Sequence, residues 1–372
     1  MDACAIKTSI GGQALLEGIM MRGPQKTALA VRNTKGEIVV EEFETKGAKR
    51  PAICRWPIIR GIFGYIDSMS IGYKCLMRSA ELSGLEEIVE EKPKKKKKGK
   101  NTEKCKEIEE KANTFEPERE TIAPTEATDE ATDQSGVTDS KKEEDKLPTW
   151  VMTLTMVISV VLGLALAIGL FVYAPTKIYD LLSSRIGFLQ SGSAALNSLY
   201  KSVFEGIVKI IILVGYMAAV SLMKDIRRTF MYHGAEHKTI FCYEAGLELT
   251  VENVKAQRRF HPRCGTSFLV LMLLVSIFIS FFIDPISIAI SGHVLPTLLR
   301  VAVKLLLIPL IVGVGYELIK FAGRHDNLLT RIISAPGVWL QHITVFEPTD
   351  DMIECAICAV KEVIPTDGSD KW

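Results

Sequence analysis

Residues 150–173 read WVMTLTMVISVVLGLALAIGLFVY, an uncharged run of 24 residues with an aromatic side chain at each end. A helix rises about 1.5 Å per residue and a bilayer's hydrocarbon core is about 30 Å thick, so this run has the length and aromatic belt of a membrane-spanning helix. Three further stretches extend the pattern. Residues 266–283 are uncharged and just long enough to span. Residues 204–223 are apolar apart from Glu205 and Lys209, spaced to pair on one helix face. Residues 295–316 carry Arg300 and Lys304 near one end, where long basic side chains are expected to snorkel to the interface. Hydrophobic residues make up 48% of the 372, and their gathering into these long apolar runs argues against an ordinary soluble globular class. The expected fold is a mainly α-helical polytopic membrane protein of about four transmembrane helices, with a small N-terminal β-hairpin and amphipathic helix on the cytoplasmic side.

Orientation follows from the basic residues between spans. Residues 224–265 hold eight, 174–203 hold three and 284–294 hold none. Positive loops stay inside, so both termini and the 224–265 loop are expected in the cytoplasm of a multi-pass inner-membrane protein. Residues 1–10 are only weakly apolar and lack the pattern of a cleaved leader, which leaves the first span as an internal insertion signal. All eight cysteines then lie in cytoplasmic segments or at their edges, consistent with reduced thiols.

The spans divide the chain into an N-terminal cytoplasmic part (1–90), a charged linker (91–148), the membrane region (149–316) and a C-terminal cytoplasmic segment (317–372). The net charge of +1 averages two opposed blocks. KPKKKKKGK, beginning at Lys92 and ending at Lys100, holds seven lysines, and the acidic, Thr-rich stretch after it has few aromatics. Such a composition reads as a disordered tether; the lysine block is also a candidate contact for anionic lipid. No aromatics interleave with it to stack on bases, so nucleic acid is not expected as a partner. Other membrane proteins, or a second copy of the chain, are candidate partners beside the bilayer.

In the N-terminal part, 27–44 contains two β-prone runs around Asn33-Thr34-Lys35-Gly36, a hairpin signal. The preceding GGQALLEGIMMRGP (11–24) packs four glycines, Glu17 and Arg22 into fourteen residues. It reads either as tight turns feeding a small sheet or as a ligand-approach loop with Glu17 and Arg22 as its functional pair. Residues 57–77 carry apolar side chains at helical spacing, interrupted by Arg60, Asp67 and Lys74, which suits a helix lying on a membrane surface rather than crossing it.

The candidate chemistry lies in YHGAEHKTIFCYEAG (232–246). His233 and His237 are four apart and share one helix face, with Glu236 beside them. Written H-x-x-E-H, the string matches the inverted zinc-protease signature, in which the histidines bind metal and the glutamate activates water. Downstream, His261-Pro262-Arg263-Cys264 has ligand spacing and sits near the same boundary, so His233, His237, His261 and Cys264 form a candidate set for a divalent transition metal, zinc first. The alternative is that the histidines are polar residues on a helix surface and His261-Pro262 a helix terminator. Glu317 is the one candidate for the distant acidic ligand of the protease pattern. Cys355-Ala-Ile-Cys358 has metal-type spacing but lies in the apolar helical pattern MIECAICAVKEVI and reads as a packed terminal helix.

Taken together, GGQALLEGIMMRGP, PIIRGIFGYIDSMSIGYKCL, YHGAEHKTIFCYEAG, HPRCGTSFL and SAPGVWLQHITVFEP resemble the bacterial YqhQ-type membrane proteins. The resemblance covers nearly the whole chain apart from 91–148. It implies a multi-spanning inner-membrane protein with Glu17, Arg22, His233, Glu236, His237, His261 and Cys264 in its marked blocks, from a family suggested to be metal-dependent enzymes. It implies no substrate. Two functions follow as expectations: a metal-dependent hydrolase with Glu236 as general base, or a non-catalytic membrane scaffold, metal-regulated sensor or transport component.

Overall fold

Glycines 11, 12 and 18 do not form a loose loop; they lie in strands. The computed structural model describes residues 6–45, 51, 54, 56–84, 149–185, 194–325 and 327–371. The 91–148 linker, with its lysine block, and Cys4 and Cys105 lie outside these residues. Strands β1 (Gly11–Leu15), β2 (Gly18–Arg22), β3 (Lys26–Arg32) and β4 (Ile38–Glu44) form one antiparallel sheet in sequence order. The expected hairpin is β3–β4. Asn33 Oδ1 accepts from the backbone N–H groups of Lys35 and Glu37, and Gly36 takes φ +84°, a value only glycine adopts without strain. The glycine-rich segment adds two strands that the hairpin reading did not contain.

Among the described residues the helices are α1 (Ile59–Leu82), α2 (Thr149–Ile168), α3 (Ala174–Arg185), α4 (Ala194–Ser221), α5 (Lys224–Glu244), α6 (Val251–Lys255), α7 (Gly265–Ser291), α8 (Thr297–Leu306), α9 (Ile308–Arg324), α10 (Leu328–Thr344) and α11 (Asp350–Val363). The chain divides by its internal contacts into Lys92–Val161, of which the described part is the first half of α2, and the remainder. Everything below concerns the second unit.

Alternation along the strands gives the sheet two buried faces. Leu15, Met20, Leu29 and Val31 pack with Cys75 of α1. Ile19, Met21, Ala28 and Ala30 pack with Tyr232 and Ala235 of α5 and with Met352, Cys355 and Ala359 of α11. Cys355 is fully buried, its thiol donating to the Ala30 carbonyl at 3.2 Å, so the Cys-x-x-Cys spacing belongs to a packed helix. Helix α1 buries its small residues, Gly61, Gly72, Cys75 and Ser79, and leaves Phe63, Ile66, Met69 and Tyr73 exposed.

Among the described residues, three helices are long and apolar enough to cross a membrane: Val157–Arg185, Leu196–Ser221 and Gly265–Ser291. A fourth span is formed if Leu298–Leu306 and Ile308–Arg324, bent by 44°, count as one. The bend falls at Pro309, whose ring excludes the carbonyl a turn earlier. The first of the three contains a π-helical turn, Gly169–Tyr173, just before Pro175, which removes one ladder hydrogen bond. Arg300 and Lys304 do not snorkel outward. Arg300 is 8% exposed and pairs with Asp284, and Lys304 donates to Glu205, because acidic partners on α7 and α4 face them across the bundle.

Helix α10 starts on a capping box between Asn327 and Thr330 and crosses α7 at Gly337, where an added Cβ would meet Ser267 Cα at 2.6 Å. Gly337→Val should therefore lower stability by about 1–3 kcal/mol through overpacking. Thermal unfolding of the detergent-purified variant checks this, and an unchanged midpoint would contradict the crossing.

Candidate metal centre

From Tyr232 to Glu244 helix α5 is largely buried although its sequence is polar, while its first turns, with Lys224, Asp225, Arg227 and Arg228, are exposed. The buried part therefore needs a partner for nearly every polar side chain. His233 and His237 lie one turn apart with ring centroids 4.4 Å from each other. Gly234, between them, lets the chain after α10 lie directly on the helix, since a Cβ there would collide with the Phe346 backbone. The amide of Phe346 donates to the Phe230 carbonyl at 3.0 Å.

Cys264 is the N-cap of α7, its sulfur accepting from the Thr266 amide at 3.4 Å. That position brings Sγ within 3.0 Å of His233 Nε2. The ligand atoms of His233, His237 and Cys264 all lie within 4.8 Å of one another. The other ring nitrogens are fixed by backbone: His233 Nδ1 donates to the Thr344 carbonyl at 3.0 Å and His237 Nδ1 to the Arg259 carbonyl at 2.6 Å. A carbonyl only accepts, so each Nδ1 carries the hydrogen and each Nε2 is left facing the thiol. One thiol proton serves one nitrogen. His237 Nε2 is buried and has no hydrogen-bond partner among the described residues.

Glu236 stands beside this group, and its Oε1 accepts from the Gly12 amide at 3.0 Å. Gly12 is what lets strand β1 come so close: a Cβ there would lie 2.7 Å from the Met20 carbonyl oxygen and 3.0 Å from Glu236 Cδ. Burial pushes the Glu236 carboxyl up, opposed by His233 and His237. Burial by itself would raise the Cys264 thiol, but His233 and His237 outweigh it and hold the thiol well below its ordinary range. Burial likewise works against charge on His233, and the neighbouring Cys264 overcomes it, raising the imidazole to about 9. Cys264 and His233 thus favour each other's charged forms, and the second imidazole's Nε2 is left without a hydrogen-bond partner among the described residues.

His261 stands next to His237, ring centroids 5.6 Å apart, but faces away from the thiol. Its Nδ1 accepts from the Arg263 amide at 3.2 Å and its Nε2 lies 3.9 Å from Glu244. Burial lowers it to about 4. Gln341 clamps this segment by accepting from the His261 amide at 2.8 Å and donating to the His261 carbonyl at 2.7 Å. Glu244, 2% exposed, pairs with Arg263 and accepts from the Thr8 amide at 3.0 Å. The structure thus gathers three of the four expected ligands and puts the fourth in a supporting layer.

The remaining candidates are elsewhere. Glu17, on the β1–β2 turn with φ 51°, pairs with Arg228 of α5, and Tyr232 donates to it at 3.4 Å. Arg22 donates to Ser68 of α1 at 3.2 Å. Glu317 is held by Arg60, whose Nε donates at 2.7 Å, so it does not reach the histidines. Gln341, Glu244 and Gly12 went unread in the sequence, as did the two carbonyls. All three side chains left a trace there, Gly12 inside GGQALLEGIMMRGP, Glu244 inside YHGAEHKTIFCYEAG and Gln341 inside SAPGVWLQHITVFEP, but none carried a role.

Residues 56–366 match the family described as "Protein of unknown function (DUF1385)". The chain belongs to this family. It is 30% identical over 366 residues to the protein of Bacillus subtilis (strain 168) named "Uncharacterized protein YqhQ", covering 98% of this chain and 95% of that one. No solved structure matches. The family region contains the whole His/Cys group and the spans; Gly12, Glu17 and Arg22 precede it.

The buried Glu244–Arg263 pair yields a pH prediction. Burial pushes the carboxyl up, but His261 and Arg263 outweigh it and bring it from 4.5 to about 2. A depressed carboxyl stabilises the fold above its unfolded value, so this contribution is complete above about pH 4.5 and is lost as pH falls toward 2. Glu244→Gln should cost about 3 kcal/mol at pH 7 by removing the carboxylate that Arg263 pairs with, and should flatten the acid limb of stability against pH. Unfolding midpoints of both proteins from pH 7 to pH 3 check it; parallel curves would exclude the assignment.

Proposed function

We propose that His233, His237 and Cys264 hold a divalent transition metal, zinc by its preference for imidazole and thiolate, in a membrane-embedded metal-dependent hydrolase. The observation that carries this reading is the buried His237 Nε2, without a hydrogen-bond partner among the described residues and close to a thiol already engaged by His233. A cation would satisfy both nitrogens and the thiolate at once. The two carbonyls on the Nδ1 atoms are the outer-layer partners that orient metal-binding imidazoles. His233, His237 and Cys264 would hold the ion, and zinc held there would supply Lewis acidity for hydrolysis. Glu236, buried beside this group, would serve as general base, taking a proton from an attacking water and handing it to the leaving group. The Gly12 amide keeps the carboxylate in place.

The setting in this reading is the cytoplasmic face of the cell membrane, with both termini inside. The eight basic residues of 224–265 against none in 284–294 support that orientation. Helix α1 lies on the membrane surface, its exposed Phe63, Ile66, Met69 and Tyr73 in lipid. A second reading, a non-catalytic scaffold or metal-regulated sensor, is favoured by closure: Glu236 and Cys264 are each 6% exposed and His237 1%.

Elemental analysis of detergent-purified protein should find about one zinc per chain in wild type and Glu236→Gln, and far less in His237→Ala. No metal in folded wild-type protein, even after zinc is added, overturns the site. In a screen of chromogenic esters, amides and phosphoesters, Glu236→Gln should lose about a hundredfold or more in turnover. Turnover indifferent to that change, or none at all from zinc-loaded wild type, moves the scaffold reading to the front.

A further inference from the structure

The apolar bundle contains a second polar centre. Glu205 and Lys209 from α4, Asp284 from α7 and Arg300 from α8 are each less than a tenth exposed, and Lys304 of α8 joins them. Asp284 is twenty residues beyond Cys264 along α7, about 30 Å away, so this centre sits at the far end of the bundle from the His/Cys group. Arg300 pairs with Asp284, whose Oδ2 also accepts from Ser198 at 2.6 Å. Glu205 accepts from Thr176 at 2.8 Å and from Lys304 at 3.2 Å.

These bonds leave a remainder. Three cations face two carboxylates, an excess of one positive charge. Lys209 lies within electrostatic reach of Glu205, Arg300 and Lys304, yet makes no hydrogen bond or ion pair among the described residues, and it is 6% exposed. Arg300 Nε is a buried donor and Asp284 Oδ1 a buried acceptor, neither with a partner there. Uncompensated charge inside an apolar bundle is costly, and such residues mark ligand sites and pathways. Two donors and one positive charge ask for an anion with acceptor oxygens; the free acceptor asks for a hydroxyl on the same ligand. Chloride offers no hydroxyl, and a simple carboxylate offers none when ionised. A singly charged phosphate with a free hydroxyl offers all three features.

We propose that Lys209, Arg300 and Asp284 bind a monoanionic phosphate bearing a hydroxyl. Its source is the headgroup of a lipid such as phosphatidylglycerol or inorganic phosphate itself. The inference is independent of a metal at the His/Cys group.

Full-length protein in dodecyl maltoside is titrated with phosphatidylglycerol or phosphatidylcholine and read by native mass spectrometry. In parallel, thermal unfolding is followed in sodium phosphate against sodium chloride at equal ionic strength. Saturable one-to-one binding of phosphatidylglycerol over phosphatidylcholine supports the site with a lipid as its source; saturable stabilisation by phosphate supports it with the free ion. Lys209→Gln should weaken either by about tenfold or more, and Lys209→Arg should keep it. Neither ligand binding wild type, or Lys209→Gln binding as wild type does, overturns the proposal. A network that only welds helices together predicts the latter, with Lys209→Gln more stable because an unpaired charge is gone. Should Lys209→Gln fail to fold, the wild-type titrations and Lys209→Arg decide: absence of saturable binding in wild type, or its loss in folded Lys209→Arg, overturns the assignment.

Discussion

The polar second half of α5, Tyr232 to Glu244, buried on nearly all sides, organises this molecule. Each polar side chain of α5 that leaves water must find a partner, since an unpaired buried group costs about 1–3 kcal/mol. The partners come from separate parts of the chain. Glu236 takes the Gly12 amide of β1, His233 the Thr344 carbonyl, His237 the Arg259 carbonyl, Lys238 the Lys255 carbonyl and Glu244 the Thr8 amide. Satisfying one helix therefore pulls the N-terminal sheet, the 246–264 connection and the end of α10 around it. The His/Cys group is the one place where this satisfaction stays incomplete, which is why it reads as a site rather than as core.

Glycine makes the close approaches possible. Gly12 admits β1 to Glu236, Gly234 admits the Phe346 backbone to α5, and Gly337 admits α7 to α10. These three contacts fix the distance between the sheet, the site helix and the bundle. The geometry of the His/Cys group is thus inherited from backbone packing, and its residues sit on regular helix and a helix cap.

The two polar centres share a logic. At one end of α7, Cys264 completes a group with two imidazoles; toward the other, Asp284 ties α7 to α8. Each retains a buried atom without a partner, His237 Nε2 in one and Asp284 Oδ1 and Arg300 Nε in the other. The chemistry differs: nitrogen and thiolate suit a soft cation, while an excess of cationic donors suits an oxyanion.

Local spacing determined a good deal. The apolar runs mark the candidate apolar helices, though their ends differ by up to twelve residues, Asn33 to Gly36 marks a hairpin, and the four-residue interval of His233 and His237 puts both on one face of α5. All of these are properties of a single element, and periodicity is sufficient to read them. What crosses between elements was decided by tertiary structure. The spacing of His261 to Cys264 is equally consistent with both residues joining the histidines; packing turned Cys264 in through the α7 cap and turned His261 toward Glu244. Glu317 was drawn to Arg60 across the α1–α9 contact, and Arg300 and Lys304 turned inward because Asp284 and Glu205 lie opposite. The carbonyls of Thr344 and Arg259, which set the histidine tautomers, have no sequence signature at all, since every residue carries one. Sequence supplies the chemical groups and the faces they share, and only the packed chain decides which faces meet.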